Sequence, residues 1–129
     1  MDEKINVLII DDQEDSCILL HDILESKGLE TEYVLSGKEG LEYLERHNDD
    51  RPNVVVMDMR LGHDMSGMDA LKIMKSKYQD IEVIMVTGCG DAHMGEECLK
   101  SGAYDYLSKP VDINSFIAKV MVAGKKHNK

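Results

Sequence analysis

Long apolar runs are missing from this sequence: hydrophobic residues make up 43% of it, but in clusters far shorter than the roughly 20 that cross a bilayer. That excludes a helical membrane span. Nor is a secretory leader expected. Met1-Asp2-Glu3-Lys4 runs directly into a short strand-like segment, without the apolar stretch and small-residue cleavage site of a signal peptide, so a cytoplasmic chain is expected. Cysteine is scarce and odd in number. Cys17, Cys89 and Cys98 show neither a CxxC pair nor Cys/His ligand spacing, which excludes a disulfide framework or zinc cluster and predicts reduced, mostly packed thiols. Positive charge is also short: 15 Lys and Arg face 25 Asp and Glu, a formal net charge of -10. Such a surface disfavours nucleic-acid phosphates and anionic lipid, and suits cations or basic partner surfaces. No low-complexity segment or long linker divides the chain, and 129 residues fit one domain with one core.

What is present is an alternation of two hydrophobic periods. Residues 5–10, 54–57 and 83–86 form short, nearly continuous apolar runs rich in β-branched side chains, the pattern of strands buried on both faces of a parallel sheet. Residues 30–34 and 104–107 are weaker strands of the same series. Between the runs, Cys17, Leu20, Ile23 and Leu24 recur at three- and four-residue steps, as do Ile113, Phe116, Ile117 and Val120, so helices should pack these faces on the sheet. Ser36 followed by Glu39 reads as a capping box before Leu41 and Leu44, and Gly28 and Gly102 stand where helices end. Five strands alternating with five helices, joined by right-handed crossovers, make a three-layer α/β domain.

Carboxylates stand where the strands stop. Asp11 and Asp12 follow the first run directly, and Asp58 closes the third, in NVVVMD. Ligands of open parallel sheets bind beyond the carboxyl ends of the strands, near the point where strand order reverses; strands one and three are then plausible neighbours and the three carboxylates converge. Two like charges about 4 Å apart repel by ~4 kcal/mol even at an effective dielectric of 20, so the trio needs positive charge among it. A divalent cation with oxygen preference is the natural candidate, and few carboxylates with room for water suit Mg2+ better than Ca2+. Lys109, in YLSKP after the fifth strand, adds a second positive charge able to meet a phosphoryl oxygen or a carboxylate. Singly, each residue has a duller role. Asp12 could cap the helix starting near Gln13, Asp58 could be a strand-end turn residue, and Thr87 strand filler. Lys109 could be solvated, with Pro110 a stop before a helix capped by Asp112. Their joint occurrence at one sheet edge favours a site.

In this order, IIDDQED, VVVMD, MVTG and DYLSKP resemble the motifs of the response-regulator receiver domains of two-component signalling, over essentially the whole chain. The resemblance implies a flavodoxin-like, doubly wound five-stranded parallel sheet of order 2-1-3-4-5 with five helices, a receiver domain over residues 1–124, and 125–129 as a tail or the start of a linker. Asp58 would accept a phosphoryl group from a histidine kinase or phosphotransfer protein. Asp12 and Asp58 would ligate Mg2+ directly, Asp11 would act largely through water, and Arg60 would offer its backbone carbonyl. Lys109 would bind the phosphoryl oxygen, behind a Lys109-Pro110 bond in the cis form. Thr87 and Tyr106 would form the switch, read by a downstream protein, an output domain or a second copy on the face of helix four, strand five and helix five. Gly88 would leave the acceptor open to its donor.

Two departures from the family pattern follow Asp58. Gly62 stands where the family usually has proline, and the loop to Gly67 is about one residue longer, with His63 and Asp64 in the additional turn. Helix four, over residues 91–100, carries Gly95 inside and a thin apolar face of Met94, Cys98 and Leu99, so it should be weakly held and easily shifted. A rival reading is a small Mg2+-dependent phosphohydrolase working through an aspartyl phosphate. Haloacid-dehalogenase enzymes of that kind place a DxD pair after their first strand, whereas Asp58 follows the third and Met59-Arg60 come next. A scaffold that is never phosphorylated is the other rival, and it has no use for so much like charge at one edge.

Overall fold

The computed structural model describes residues 4–62, 64–88 and 92–125. In chain order the elements are β1 (Asn6–Ile10), α1 (Glu14–Ser26), β2 (Glu30–Val34), α2 (Gly37–Arg46), β3 (Val54–Asp58), α3 (Gly67–Lys77), β4 (Glu82–Thr87), α4 (Ala92–Lys100), β5 (Asp105–Ser108) and α5 (Ile113–Lys125). All neighbouring strands pair in parallel, in the order β2-β1-β3-β4-β5. Strand order reverses between β1 and β3, where Ile10 lies opposite Met57. The sequence-derived architecture, the count of elements and the β1–β3 adjacency are therefore all present.

Side chains alternate across the sheet and bury two apolar layers. On one face Val7, Ile9, Val56 and Ile84 pack against Cys17 and Leu24 of α1 and Phe116 and Val120 of α5. On the other, Leu8, Ile10, Val55, Met57 and Met85 meet Leu44 of α2, Leu71 and Met74 of α3 and Cys98 of α4. β3 and β4 are buried along their whole length, which explains the unbroken apolar runs 54–57 and 83–86 inside them. Phe116 is fully buried, and truncating such a side chain to alanine costs about 3–5 kcal/mol. Ile113 departs from the expected stripe: it is 38% exposed, because the packed face of α5 begins at Phe116.

The helix ends correct several local readings. Ser36 Oγ accepts from Glu39 N at 3.1 Å, but Glu39 Oε1 accepts from Leu35 N at 3.0 Å, one residue before the cap. The complete capping box lies at α3, where Ser66 Oγ accepts from Asp69 N (3.0 Å) and Asp69 Oδ2 from Ser66 N (3.4 Å). Asp12 does not cap α1; Gln13 holds that position without a side-chain bond. Asp112 does serve α5, its Oδ2 accepting from Ser115 N at 2.9 Å. Gly28 and Gly102 end their helices with φ of 87° and 106°, a region closed to most side chains. The Lys109-Pro110 bond is cis. His63, Cys89 and Asp91 lie outside the described residues.

Candidate functional site

Strand ends deliver the acidic group as the topology demands. Asp58 is the last residue of β3 and Asp11 follows β1; the two side chains are 5% and 6% exposed. Asp58 Oδ1 accepts from Arg60 N at 2.9 Å, and its Oδ2 from Lys109 Nζ at 2.6 Å. Lys109 is brought there by β5, and its own N–H donates to Thr87 O at 2.9 Å. The hydrogen bond to Asp58 holds the Lys109 ammonium above the usual lysine pKa, with the charges of Asp58, Asp11 and Asp12 reinforcing it against desolvation. Burial pushes the Asp11 carboxyl up, and the neighbouring charges of Asp58 and Asp12 add to this, while the Gln13 N–H and Lys109 oppose it. That N–H donates to Asp11 Oδ1 at 2.9 Å.

Asp12 is exposed and lines an adjoining cleft with Met59, Arg60, Gly62 and Asp64. The expected trio is thus two buried carboxylates and one at the rim. Among the described residues, no three His, Cys, Asp or Glu side chains stand close enough to enclose a metal ion by themselves. Arg60 enters the site through its N–H as well as lining both clefts beside Asp58.

A second cleft opens over Asp58 between α3 and α4, lined by Thr87, Gly88, Met59, Met94 and Lys109 among others. Thr87 is 1% exposed, and its hydroxyl donates to Leu107 O at 3.4 Å. A side chain on Gly88 would meet nothing within 4 Å, so this flank of Asp58 is open. Tyr106 is half-buried on the α4 side of the sheet. Its ring covers Gly95, where any Cβ would overlap it. Gly95, which weakens α4 by propensity, is therefore buried with its open side filled by the ring. Cys98 on the same helix is buried, its thiol 3.5 Å from Met59 Sδ. The Cys17 thiol donates to Asp11 O at 3.4 Å; burial, then the Asp11 charge, pushes its pKa up to about 12. Cys17 and Cys98 are buried thiols outside any disulfide, as expected.

Two parts of the site escaped the sequence reading. Gly67 begins α3 directly against the end of β3: its N–H donates to Met59 O at 2.8 Å, and a Cβ would strike Asp58 O and stand 2.8 Å from Met59 Cα. The S-x-x-D pattern of Ser66 and Asp69 would have announced this helix start. On the opposite flank, an apolar groove lined by Leu19, Leu20, Pro110, Val111 and Ile113 reaches Asp58 and Lys109. Leu19, 57% exposed, is an apolar residue out of phase with the buried stripe of its helix, the signal that marks such a groove.

The order of this sheet, with its acidic pocket at the point where strand order reverses, defines a flavodoxin-like α/β domain whose site lies at the carboxyl edge. Residues 7–121 match the response regulator receiver domain, and the chain belongs to that family. Sporulation initiation phosphotransferase F of Bacillus subtilis (strain 168) is 35% identical over 114 residues, covering 88% of this chain and 87% of that protein. Transcriptional regulatory protein ZraR of Klebsiella oxytoca is 32% identical over 112 residues, 87% of this chain but only 24% of that protein. The crystal structure of a response regulator receiver domain protein from Clostridium thermocellum aligns with a TM-score of 0.87 at 31% identity, covering 95% of both chains. The family is one of signalling domains, generally not turnover enzymes, which weighs against the hydrolase reading. No helix of the described residues is long and apolar enough to cross a membrane.

Proposed function

We propose that this receiver domain takes a phosphoryl group onto Asp58 from a phosphohistidine of a histidine kinase or phosphotransfer protein, and relays the event by a change on the face of α4, β5 and α5. The observation that carries the reading is the buried Asp58 carboxylate with one oxygen on Arg60 N and the other on Lys109 Nζ. Oδ1 is held by fixed backbone, so Oδ2 is the oxygen suited to attack phosphorus. As that P–O bond forms and the donor P–N bond breaks, Lys109 transfers its hydrogen bond from Oδ2 to a phosphoryl oxygen and meets the charge developing there. Positioning and charge, rather than covalent chemistry by other groups, make the step possible.

The donor set fits Mg2+. Every candidate ligand is an oxygen, the carboxylates are few, and one of them stands at a solvated rim, as suits an ion that keeps several of its waters. Asp12, Asp58 and the Arg60 carbonyl would hold it, with Asp11 acting through water. When bound, it would withdraw charge from the transferring phosphoryl oxygens. Burial chiefly, and then the charges of Asp58 and Asp12, disfavour the ionised form of Asp11, so added positive charge beside it would be welcome.

Thr87 lines the same cleft as Asp58, and its hydroxyl now rests on Leu107 O at 3.4 Å, a long bond easily exchanged for a charged phosphoryl oxygen. That exchange would free the β5 carbonyl next to Tyr106 and draw the start of α4 toward the acceptor. Leu99 on α4 and Val122 on α5, 43% and 57% exposed, supply apolar surface for a downstream protein, an output domain or a second copy. The apolar groove beside Lys109 gives a protein donor a landing next to Asp58.

Incubation with Mg2+ and acetyl phosphate tests the assignment by mass spectrometry. One phosphoryl group on Asp58 is expected, absent from Asp58→Asn and suppressed by excess chelator. Undiminished labelling of Asp58→Asn would overturn it, as would many turnovers of acetyl phosphate per protein with no stable adduct.

A further inference from the structure

Gly95 is the one interior residue of α4 whose missing side chain is filled by another element. It is buried, and the space a Cβ would need is taken by the Tyr106 ring: Cε2 and Cζ would overlap it, and Cδ2 would stand 2.7 Å away. Contacts that close do not occur between real atoms, so any larger residue forces a movement. Three things could move: the helix, the strand or the tyrosine side chain.

Helix and strand are both tied. Cys98, one turn beyond Gly95 and on the same face of α4, is buried with its thiol on Met59 Sδ at 3.5 Å, and Ala103 N donates to Cys98 O at 3.0 Å. On β5, Asp105 Oδ1 accepts from Tyr106 N at 2.8 Å, while its Oδ2 accepts from Lys119 Nζ of α5 at 2.6 Å. The tyrosine is only partly buried, and its side chain has other staggered χ1 rotamers to turn to. It is the part that gives way.

We infer that Gly95 is a positioning residue for Tyr106: its bare Cα is the seat on which the inward ring rests, and the size of the residue at 95 sets whether the ring lies in or out. The role of Tyr106 in signalling rests on the switch reading above; the seat itself does not. Gly95 and Cys98 then join two ends of one face. Cys98 touches the residue that follows the acceptor, and Gly95 carries the aromatic side chain that the surface displays. A shift of Met59 on phosphorylation reaches Tyr106 through the face of α4, a second route beside Thr87.

Two substitutions made singly and together decide this. If Gly95 only loosened the helix, Gly95→Ala would raise the melting temperature, because alanine is the better helix former. If it is the seat, Gly95→Ala lowers the melting temperature and speeds tetranitromethane nitration of Tyr106 several-fold, read by mass spectrometry. In the Tyr106→Ala background the ring is gone, and the same Gly95→Ala substitution should now raise the melting temperature. A rise in both backgrounds overturns the inference, as does an unchanged nitration rate. Should Gly95→Ala alone fail to fold, recovery of folding in the double variant is the expected result, and its failure there counts against the seat. Beryllofluoride affinity tests the switch separately. A change of about 5-fold or more is expected for Gly95→Ala and none for Gly95→Ala added to Tyr106→Ala; the reversal of sign without any change in affinity would leave the seat standing and overturn the switch reading.

Discussion

Lys109 and Asp58 form an unequal pair: Nζ and Oδ2 are 2.6 Å apart, yet the lysine side chain is 45% exposed and the aspartate only 5%. The carboxylate is fixed by β3 and by Arg60 N, whereas the ammonium sits on a flexible stem with water behind it. One partner can leave and the other cannot. That inequality suits the proposed step, in which the lysine that meets Asp58 at rest would follow a phosphoryl oxygen afterwards.

Lys109→Ala should therefore slow acetyl phosphate labelling at least about 10-fold, the loss expected when one preorganised charge is removed from a transfer step. Stability should fall by only about 1 kcal/mol, since the lysine is half in water. The folded lysine pKa is raised, so its stabilising effect is complete below the ordinary value of 10.5 and is lost as pH rises through the folded value. Urea melts of both proteins should differ at pH 7 and converge at strongly alkaline pH. A gap that widened with alkali would contradict the pairing.

Asp11→Asn should stabilise the protein at neutral pH. Burial and the charges of Asp58 and Asp12 raise the Asp11 pKa, which means the folded state resists its ionised form. Such a group weakens the fold as pH climbs from its ordinary 3.8 through the folded value, and the deficit persists above it. Asparagine keeps the oxygen that accepts from Gln13 N and drops the charge. A gain on the order of 1 kcal/mol, or a few degrees in melting temperature, is expected at pH 7. The advantage should vanish below pH 3.8; an equal gain at both pH values would point to some other cause.

The strands were legible because β1, β3 and β4 are buried on both faces and must be written in unbroken apolar residues. The acidic edge was legible for the same reason, since a charge directly after such a run has nowhere to go but the strand end. Which of two adjacent aspartates turns inward was not legible: Asp11 and Asp12 have the same chemistry, and it is Asp11 that accepts the Gln13 N–H in the folded chain. Gly95 was misread because its occupant, Tyr106, belongs to another element, and helix propensity has no knowledge of a ring from elsewhere. Gly67 was passed over although its flanking Ser66 and Asp69 carry a capping pattern. Nothing local reveals that the backbone of α3 must approach that of β3 so closely.

Arg51→Ala should lower stability without touching the site. Its Nη2 reaches both Asp80 oxygens at 3.0 and 3.1 Å, its Nη1 reaches Asn48 O and Oδ1 at 2.9 and 2.8 Å, and its guanidinium lies 5.0 Å from the Tyr78 ring centroid. This fork ties the loop before β3 to the loop before β4, at the sheet edge opposite Asp58. Asp80 is largely exposed, so the ion pair alone is weak; the stacked, multiply bonded fork should be worth about 1–2 kcal/mol. Arg51→Lys should recover little of it, because an ammonium cannot copy the fork. Denaturant melts give the loss, and an Asp58 labelling rate that fell in parallel would show the two edges to be coupled.

Gly67→Ala should separate positioning of the acceptor from stability of its helix. Alanine is favoured over glycine inside a helix by about 1 kcal/mol, and the Ser66–Asp69 capping box would remain. Against that, the new Cβ would strike Asp58 O and approach Met59 Cα within 2.8 Å. Both are backbone atoms held by other bonds: Met59 N donates to Val86 O at 3.0 Å, and Met59 O accepts from Gly67 N at 2.8 Å. Neither side can rotate away, so α3 must lift or the end of β3 must shift. The steric cost should outweigh the gain in propensity, leaving a net loss of about 1–3 kcal/mol. A shift of a few tenths of an ångström at Asp58 also displaces Oδ2 from Lys109, and transfer geometry is sensitive to displacements of that size. The labelling rate should then fall well beyond the change in folded fraction, when both are measured at a temperature where the variant is fully folded. A variant more stable than the parent and equally fast would show that α3 approaches the acceptor without positioning it.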